Sequence, residues 1–494
     1  MATTPRSACA AAAAAPGRVA GTPARVGVFG IGLAAYWPQF EGLKERVEGY
    51  QRRVEERVAE LGGEVVSAGL VDSAQGAREA GDRFASARVD LVLCHAVTYA
   101  TSSQVLPAAQ AAGAPVVLLG LQPAPTLDYE NTGTGDWLAN CAACCVPEIA
   151  GAFTRARIPY DTVAGTIEDD ARAWERIGAW VRAAGVARAL RRARIGFLGH
   201  TYPGMLDLYS DFTAVHAQLG AHVEVLEMDD LAARVARASA DEVAAKDGEI
   251  RRMFAFADPS ADPIAGPISD DALDYAARVA AGLDHLVADF ELDGLTYYYR
   301  GLDDNEFERL GAAMIVGNSL LTARGVPASG EGDLKTNLAQ LILDRLGAGG
   351  SYTEFYALDF AEDFVLMGHD GPGHVAIAHE QPTLRGLELY HGKRGAGLSV
   401  ELQVRYGPVT IVGCTQTAEG ALKLIVGEGV SIPGDTFRIG NTNSRLQFEL
   451  PPAEFFERWC AEGPTHHVAL GVGHVAGEVR KVASMLDLEY AEVG

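Results

Sequence analysis

Cysteine is scarce in this chain: seven residues (Cys9, Cys94, Cys141, Cys144, Cys145, Cys414 and Cys460) among 494. That density excludes a disulfide framework and fits a reducing compartment. Positive charge is also in deficit, with 41 Lys and Arg against 65 Asp and Glu, for a formal net charge of -24. Such a surface repels a phosphate backbone, so no nucleic-acid partner is expected and a soluble cytoplasmic protein is. No run of about 18 apolar residues occurs, so no membrane span is expected either. Compact ligand motifs are missing: there is no HExxH, and no second CxxC follows Cys141-x-x-Cys144-Cys145 at zinc-ribbon spacing. That cysteine segment reads as a small-residue helix rather than a metal or redox site.

What is present suffices for sizeable cores: 48% of residues are hydrophobic and 21% charged, and the length predicts several domains. The first 24 residues are Ala-rich. Their run at 10–15 lacks Leu, Ile, Val and Phe, and Pro16-Gly17 interrupts it, so a disordered extension is expected rather than a signal peptide. From residue 25 short apolar strands (25–29, 91–93, 116–119) alternate with helical patterns, one running from Pro38 to Leu61 with Phe40, Leu43, Val47, Tyr50, Val54, Val58 and Leu61 on one face. This order predicts a parallel sheet covered by helices. Ala193-Arg-Ile-Gly-Phe-Leu-Gly-His-Thr201 repeats the strand-and-turn pattern of 24–32 and starts a second α/β unit near residue 190. Helices are expected there around 229–246 and 270–290, with a strand at 295–299. The last third alternates instead, at 400–406, 409–414, 422–426 and 446–450, as antiparallel strands do. The glycines Gly27, Gly30 and Gly32 do not make the GxGxxG spacing, which disfavours a nicotinamide oxidoreductase. Strand ends in such sheets still face clefts, which makes Tyr36, His200 and Met205 pocket candidates.

The chemistry concentrates late in the chain. Glu331 stands between Gly330 and Gly332, just before a helix at 334–346. Its flanking glycines let the backbone bend and leave the carboxylate open to a cavity. Glu354 follows Gly349-Gly350-Ser351-Tyr352-Thr353, a setting that equally fits an exposed loop acid. His369 ends an apolar strand. His466-His467 opens another, and because neighbours on a strand face opposite sides, at most one of the pair is expected to face a given ion. Two carboxylates with two imidazoles suit a divalent metal, Mn²⁺ before Co²⁺, Mg²⁺ or Zn²⁺, and a small polar substrate such as a sugar.

The segments Gly330-Glu-Gly-Asp-Leu-Lys-Thr336, Gly349-Gly-Ser-Tyr-Thr-Glu354, Val365-Leu-Met-Gly-His369 and Gly463-Pro-Thr-His-His467 resemble the L-arabinose isomerase family, within the L-arabinose/L-fucose isomerase group. The resemblance implies two Rossmann-like parallel-sheet domains (25–190 and 191–330) after the disordered tail (1–24), then a β-rich, barrel-like C-terminal domain (331–494). It implies a homo-oligomer, a hexamer or tetramer, with clefts lined by neighbouring subunits. It also implies aldose–ketose interconversion with Mn²⁺, held by Glu331, Glu354, His369 and His467, and with Glu331 and Glu354 as the acid/base pair. Lys335 and His466 are second-shell candidates. Departures fall on the sugar-reading side. Leu33-Ala34-Ala35-Tyr36 stands where the arabinose enzymes carry a Gln-His pair, and a family histidine is replaced near Gln122. Met205 is kept, Tyr299 aligns with a family aromatic, and Arg300 replaces an acid. The expected substrate is therefore a sugar other than L-arabinose, with Arg300 poised for an anionic group. The competing expectation is a sugar-binding or regulatory protein on the same scaffold, without turnover.

Overall fold

The computed structural model describes residues 22–300, 305–387 and 397–494, so the expected N-terminal extension lies outside the described residues except for 22–24. The first sheet is built from β1 (Arg25–Ile31), β2 (Glu64–Val71), β3 (Leu91–His95), β4 (Val116–Gln122) and β5 (Tyr160–Thr166), all parallel, in the order β2-β1-β3-β4-β5. Its central strands are covered on both faces, which is why β3 is apolar and buried along most of its length. The long amphipathic helix begins at Leu43 rather than Pro38. Gly42, at φ 77°, takes the left-handed conformation there and a short 3₁₀ turn precedes it.

The second sheet contains β6 (Arg194–Gly199), β7 (His222–Leu226), β9 (Gly294–Tyr298) and β10 (Ala328–Ser329), again parallel, in the order β10-β9-β6-β7. Two helices, Met228–Arg237 and Ala240–Met253, occupy the stretch expected to start one helix at 229. Ser239 restarts the chain: its N–H donates to Glu242 Oε2 (2.8 Å) and its Oγ accepts from Glu242 N (3.3 Å), a reciprocal cap.

The C-terminal third is antiparallel. β11 (Gly349–Asp359), β12 (Phe364–His369), β15 (Gly407–Gln416), β16 (Leu422–Ile432), β17 (Thr442–Phe448) and β18 (His467–Val472) run in the order β15-β18-β11-β12-β17-β16, and β15 also pairs with β16, so the sheet closes on itself. β19 (Glu489–Glu492) joins β16 in parallel. The strand expected at 400–406 ends earlier. As β14 (Gly397–Glu401) it leaves the ring and pairs with β13 (Thr383–Leu387), which in turn pairs with β8 (Ala255–Phe256) from the middle of the chain. Among the described residues no helix is long and apolar enough to cross a membrane.

The helix Leu334–Arg345 joins the second sheet to the ring, and every residue from Leu334 to Asp344 is buried. Its polar side chains are spent on backbone. Asn337 Nδ2 donates to Leu295 O and Pro327 O (2.9 Å each), and Gln340 Nε2 donates to Ala328 O (3.3 Å) and Gly350 O (3.0 Å). A buried amide left unpaired costs about 1–3 kcal/mol, so these bonds lock the β9–β10 edge against the start of β11. A second close contact lies between helices Asp270–Phe290 and Met314–Ala323. A Cβ on Gly317 would stand 2.9 Å from Ala280 Cα and 2.6 Å from a Leu283 methyl. Gly317→Ala gains up to about 1 kcal/mol of helix propensity but overpacks by about 1–3 kcal/mol. The expected result is a net loss of stability of about 1 kcal/mol, read as a lower urea midpoint with an unchanged slope.

Candidate active site

Glu331 lies in the turn after β10, at the carboxyl end of the second sheet, with φ 61°. Left-handed backbone on a non-glycine residue costs on the order of 1 kcal/mol and needs surrounding structure to hold it. Here Glu331 O accepts from Tyr202 N (2.9 Å) and Gly332 N donates to Tyr297 O (3.1 Å), which pins the turn between the ends of β6 and β9. Gly332, at φ 68°, packs so tightly that a Cβ would come within 2.6 Å of His200 O.

Asp333, fully buried, caps the following helix through Thr336 N to Oδ1 (3.0 Å) and faces His467 Nδ1 with its other oxygen (3.0 Å). Burial pushes the Asp333 carboxyl up, but its bond to His467 overrides this and holds it below the usual range. Tyr352 OH is also 2.6 Å from His467 Nδ1, and its ring packs at 4.4 Å on His369 and 4.5 Å on His467. With Nδ1 engaged, His467 turns Nε2 outward. That atom is 3.2 Å from His369 Nε2 and 3.6 Å from Glu331 Oε2. Glu354 pairs directly with His467 across β11 and β18. It sits inside β11, half-buried, and not in a loop.

His466 corrects a second expectation. It precedes β18 rather than alternating within it, so it is free to turn the same way as His467. Asp207 Oδ2 accepts from His466 N (3.0 Å) and meets Nδ1 at 2.6 Å, leaving His466 Nε2 3.9 Å from Glu331 Oε2. Burial pushes the Asp207 carboxyl up, but the His466 bonds dominate and lower it to about 2; burial lowers His466, while Asp207 raises it overall. Nothing local in the sequence marks Asp207, since 259 residues separate the pair.

Two sets each have donor atoms that lie within 4.8 Å of one another: Glu331, His466 and His467 form one, and Glu354, His369 and His467 the other. Both sets are carboxylate and imidazole, the donors a divalent cation takes. Ligands about 2.1 Å from one ion stand roughly 3.0–3.4 Å apart, which the two Nε2 atoms match. The residues present therefore fit such an ion. Around them the second sheet contributes an aromatic wall, with Tyr298 packed on His200 (5.1 Å) and on Tyr202 (4.7 Å).

The lining candidates divide. Met205 belongs to the loop that carries Asp207, and buried Lys335 ties that loop down, donating to Tyr209 O (2.9 Å) and Ser210 Oγ (3.1 Å). Tyr299 is half-buried against Phe307 (5.8 Å) and accepts from Asn305, while Arg300 is exposed next to it. Tyr36 lies in a separate cluster at the mouth of the first sheet, with Trp37, Phe40 and Tyr99.

Residues 356–494 match the family model described as L-fucose isomerase, C-terminal domain. The chain is 25% identical over 343 residues to a sulfoquinovose isomerase of Alkalicoccus urumqiensis, covering 68% of this chain and 72% of that one. It is 25% identical over 327 residues to the L-arabinose isomerase of Mycolicibacterium smegmatis (64% and 63%). It is 26% identical over 386 residues to that of Acidothermus cellulolyticus (76% and 74%). These matches support a divergent member of the arabinose/fucose isomerase family and indicate a sugar isomerase.

The Glu331 turn supplies a direct check. Gly332→Ala adds left-handed strain to a clash with backbone that cannot yield, and is expected to cost about 1–3 kcal/mol. A melting temperature within error of the parent would show that the turn is not held as described.

Proposed function

We propose that this sugar isomerase interconverts an aldose and a ketose by moving a proton between C2 and C1 through an enediol, using Glu331 and Glu354 at the reacting carbons. Two carboxylate–imidazole sets that meet at His467, Glu331 with His466 from one side and Glu354 with His369 from the other, support this reading. Glu331, Glu354, His369 and His467 would hold a divalent cation, Mn²⁺ in preference to Co²⁺ or Mg²⁺. When bound, the ion supplies positive charge against the oxyanion that develops beside the reacting carbons.

The rest of the step belongs to the chain. One carboxylate takes the C2 proton while an acid protonates the carbonyl oxygen; delivery of the proton to C1, with the 2-hydroxyl proton going back to the acid, restores both groups, so C1 is reduced as C2 is oxidised and no outside redox partner is needed. Asp207 fixes the His466 ring so that Nε2 presents to the substrate side of Glu331. The buried rings of Tyr352, His369 and His467 keep water from the floor of the site, and Tyr202 and Tyr298 offer a face for the sugar. Assembly as a homo-oligomer belongs to the same reading.

A second reading concerns the sugar. The exposed Arg300 guanidinium beside Tyr298 and Tyr299, together with a relative named sulfoquinovose isomerase, favours a substrate with an anionic group over L-arabinose. Arg300→Ala would then lower preference for the anionic member of a sugar panel and leave neutral sugars unchanged.

The deciding experiment strips and restores Mn²⁺ and follows aldoses and ketoses by NMR in D₂O. Mn²⁺-dependent deuterium entry at C1 or C2 is the expected result. Bound metal without exchange for any neutral or anionic sugar would favour a binding protein on this scaffold. Glu331→Gln should reduce turnover by about 10²–10⁴-fold with an unchanged circular dichroism spectrum. His467→Ala should lose metal during gel filtration. Asp207→Asn should lower kcat about ten- to a hundredfold while metal content stays at the parent level, since it acts through His466.

A further inference from the structure

The segment Cys141-x-x-Cys144 is not a helix but the turn that leads into the helix Cys145–Ala156. That turn brings the two sulfurs to 2.6 Å from each other. Their settings differ. Cys141 is buried, whereas Cys144 is exposed and occupies the N-cap of a twelve-residue helix. Of the two sulfurs, that of Cys144 is the one a reagent in solvent can reach. The neighbouring Cys145 is engaged elsewhere: it is buried, and its thiol points to the carbonyls of Thr98 (3.7 Å) and Ala142 (3.6 Å). Glu148, the acid of the first helical turn, is occupied by Ser102, whose N and Oγ donate to it at 2.8 and 2.7 Å.

We propose that Cys141 and Cys144 form a reversible dithiol–disulfide site that takes low-molecular-weight disulfides of the glutathione type. Cys144 as thiolate attacks one sulfur of the small disulfide, and the first small thiol leaves, taking up the proton that Cys144 gave. Cys141 then loses its proton, attacks the Cys144 sulfur, and expels the second small thiol, which takes that proton. One protein disulfide forms, and one small disulfide is reduced to two thiols. Burial pushes the Cys141 thiol up to about 12, with a further rise from its bond to Cys144, which suits the resolving partner rather than the attacking one. The turn lies in the connection from β4 to β5, near Tyr36, which follows β1 and shares a cluster with Tyr99, which follows β3. Oxidation would thus act at the crevice where the strand order of the first sheet reverses, the place such sheets present to ligands.

The test treats the full-length, reduced protein with glutathione disulfide, blocks remaining thiols with N-ethylmaleimide and maps the peptides by mass spectrometry. The expected product joins Cys141 to Cys144, with the loss of two hydrogens, an alkylated Cys145, and full reversal by dithiothreitol. Cys141→Ser should stop at a stable glutathione adduct on Cys144, and Cys144→Ser should leave Cys141 unmodified. Exposed Cys460 serves as the internal reference. If Cys460 is glutathionylated while Cys141 and Cys144 remain alkylatable, or if wild-type Cys144 retains glutathione, the proposal fails. A bridge to Cys145 instead would overturn it equally.

Discussion

The buried bond between Asp333 and His467 is the constraint on which the candidate site depends. One carboxylate oxygen begins the helix that joins the second sheet to the C-terminal ring, and the other fixes the tautomer and direction of His467. A buried carboxylate left without partners would cost several kcal/mol, so neither role can be dropped cheaply. Because the same side chain serves both, the placement of His467 Nε2 is inseparable from the packing of the two α/β and β layers. Tyr352 completes the arrangement from β11, its hydroxyl 2.6 Å from the same Nδ1 atom.

Around that bond the structure invests strain and burial where chemistry is proposed. Glu331 holds a left-handed backbone, and Gly332 lets the turn approach the β6 end more closely than any side chain would permit. The helix behind them carries Lys335, Asn337 and Gln340 in full burial, each hydrogen-bonded to backbone or to Ser210. An apolar helix would bury as much surface. The polar one instead specifies a single docking of sheet on ring, at the level of detail a site shared by the two requires. Asp207 and Lys335 extend the same logic outward: Lys335 anchors the loop, and the loop delivers Asp207 to His466.

Much of this architecture was legible locally. The parallel strands announced themselves as short apolar runs, because strands covered on both faces need no polar alternation. The alternation after residue 400 announced the antiparallel ring. Glycines around Glu331 signalled a turn that a side chain would block. Errors arose where pattern alone was ambiguous. The capping pair Ser239 and Glu242 split an expected helix, although its S-x-x-E spacing was readable. The strand expected at 400–406 was diverted into a small sheet with residues from the middle of the chain, a pairing no local signal encodes. His466 and His467 were expected to alternate on one strand, but that strand begins at His467.

The sequence by itself determined which side chains are candidates for chemistry: Glu331, Glu354, His369 and the histidine pair stood out because carboxylates and imidazoles are otherwise sparse across the C-terminal turns. The tertiary structure alone decided their company. It placed His369 and His467 with nitrogens 3.2 Å apart, recruited Asp207 from 259 residues away, and folded the Cys141 turn so that two thiols meet. Periodicity fixes the direction of a side chain relative to its own element, over a few residues. Distances between elements follow from how their buried faces pack, which involves the whole chain at once.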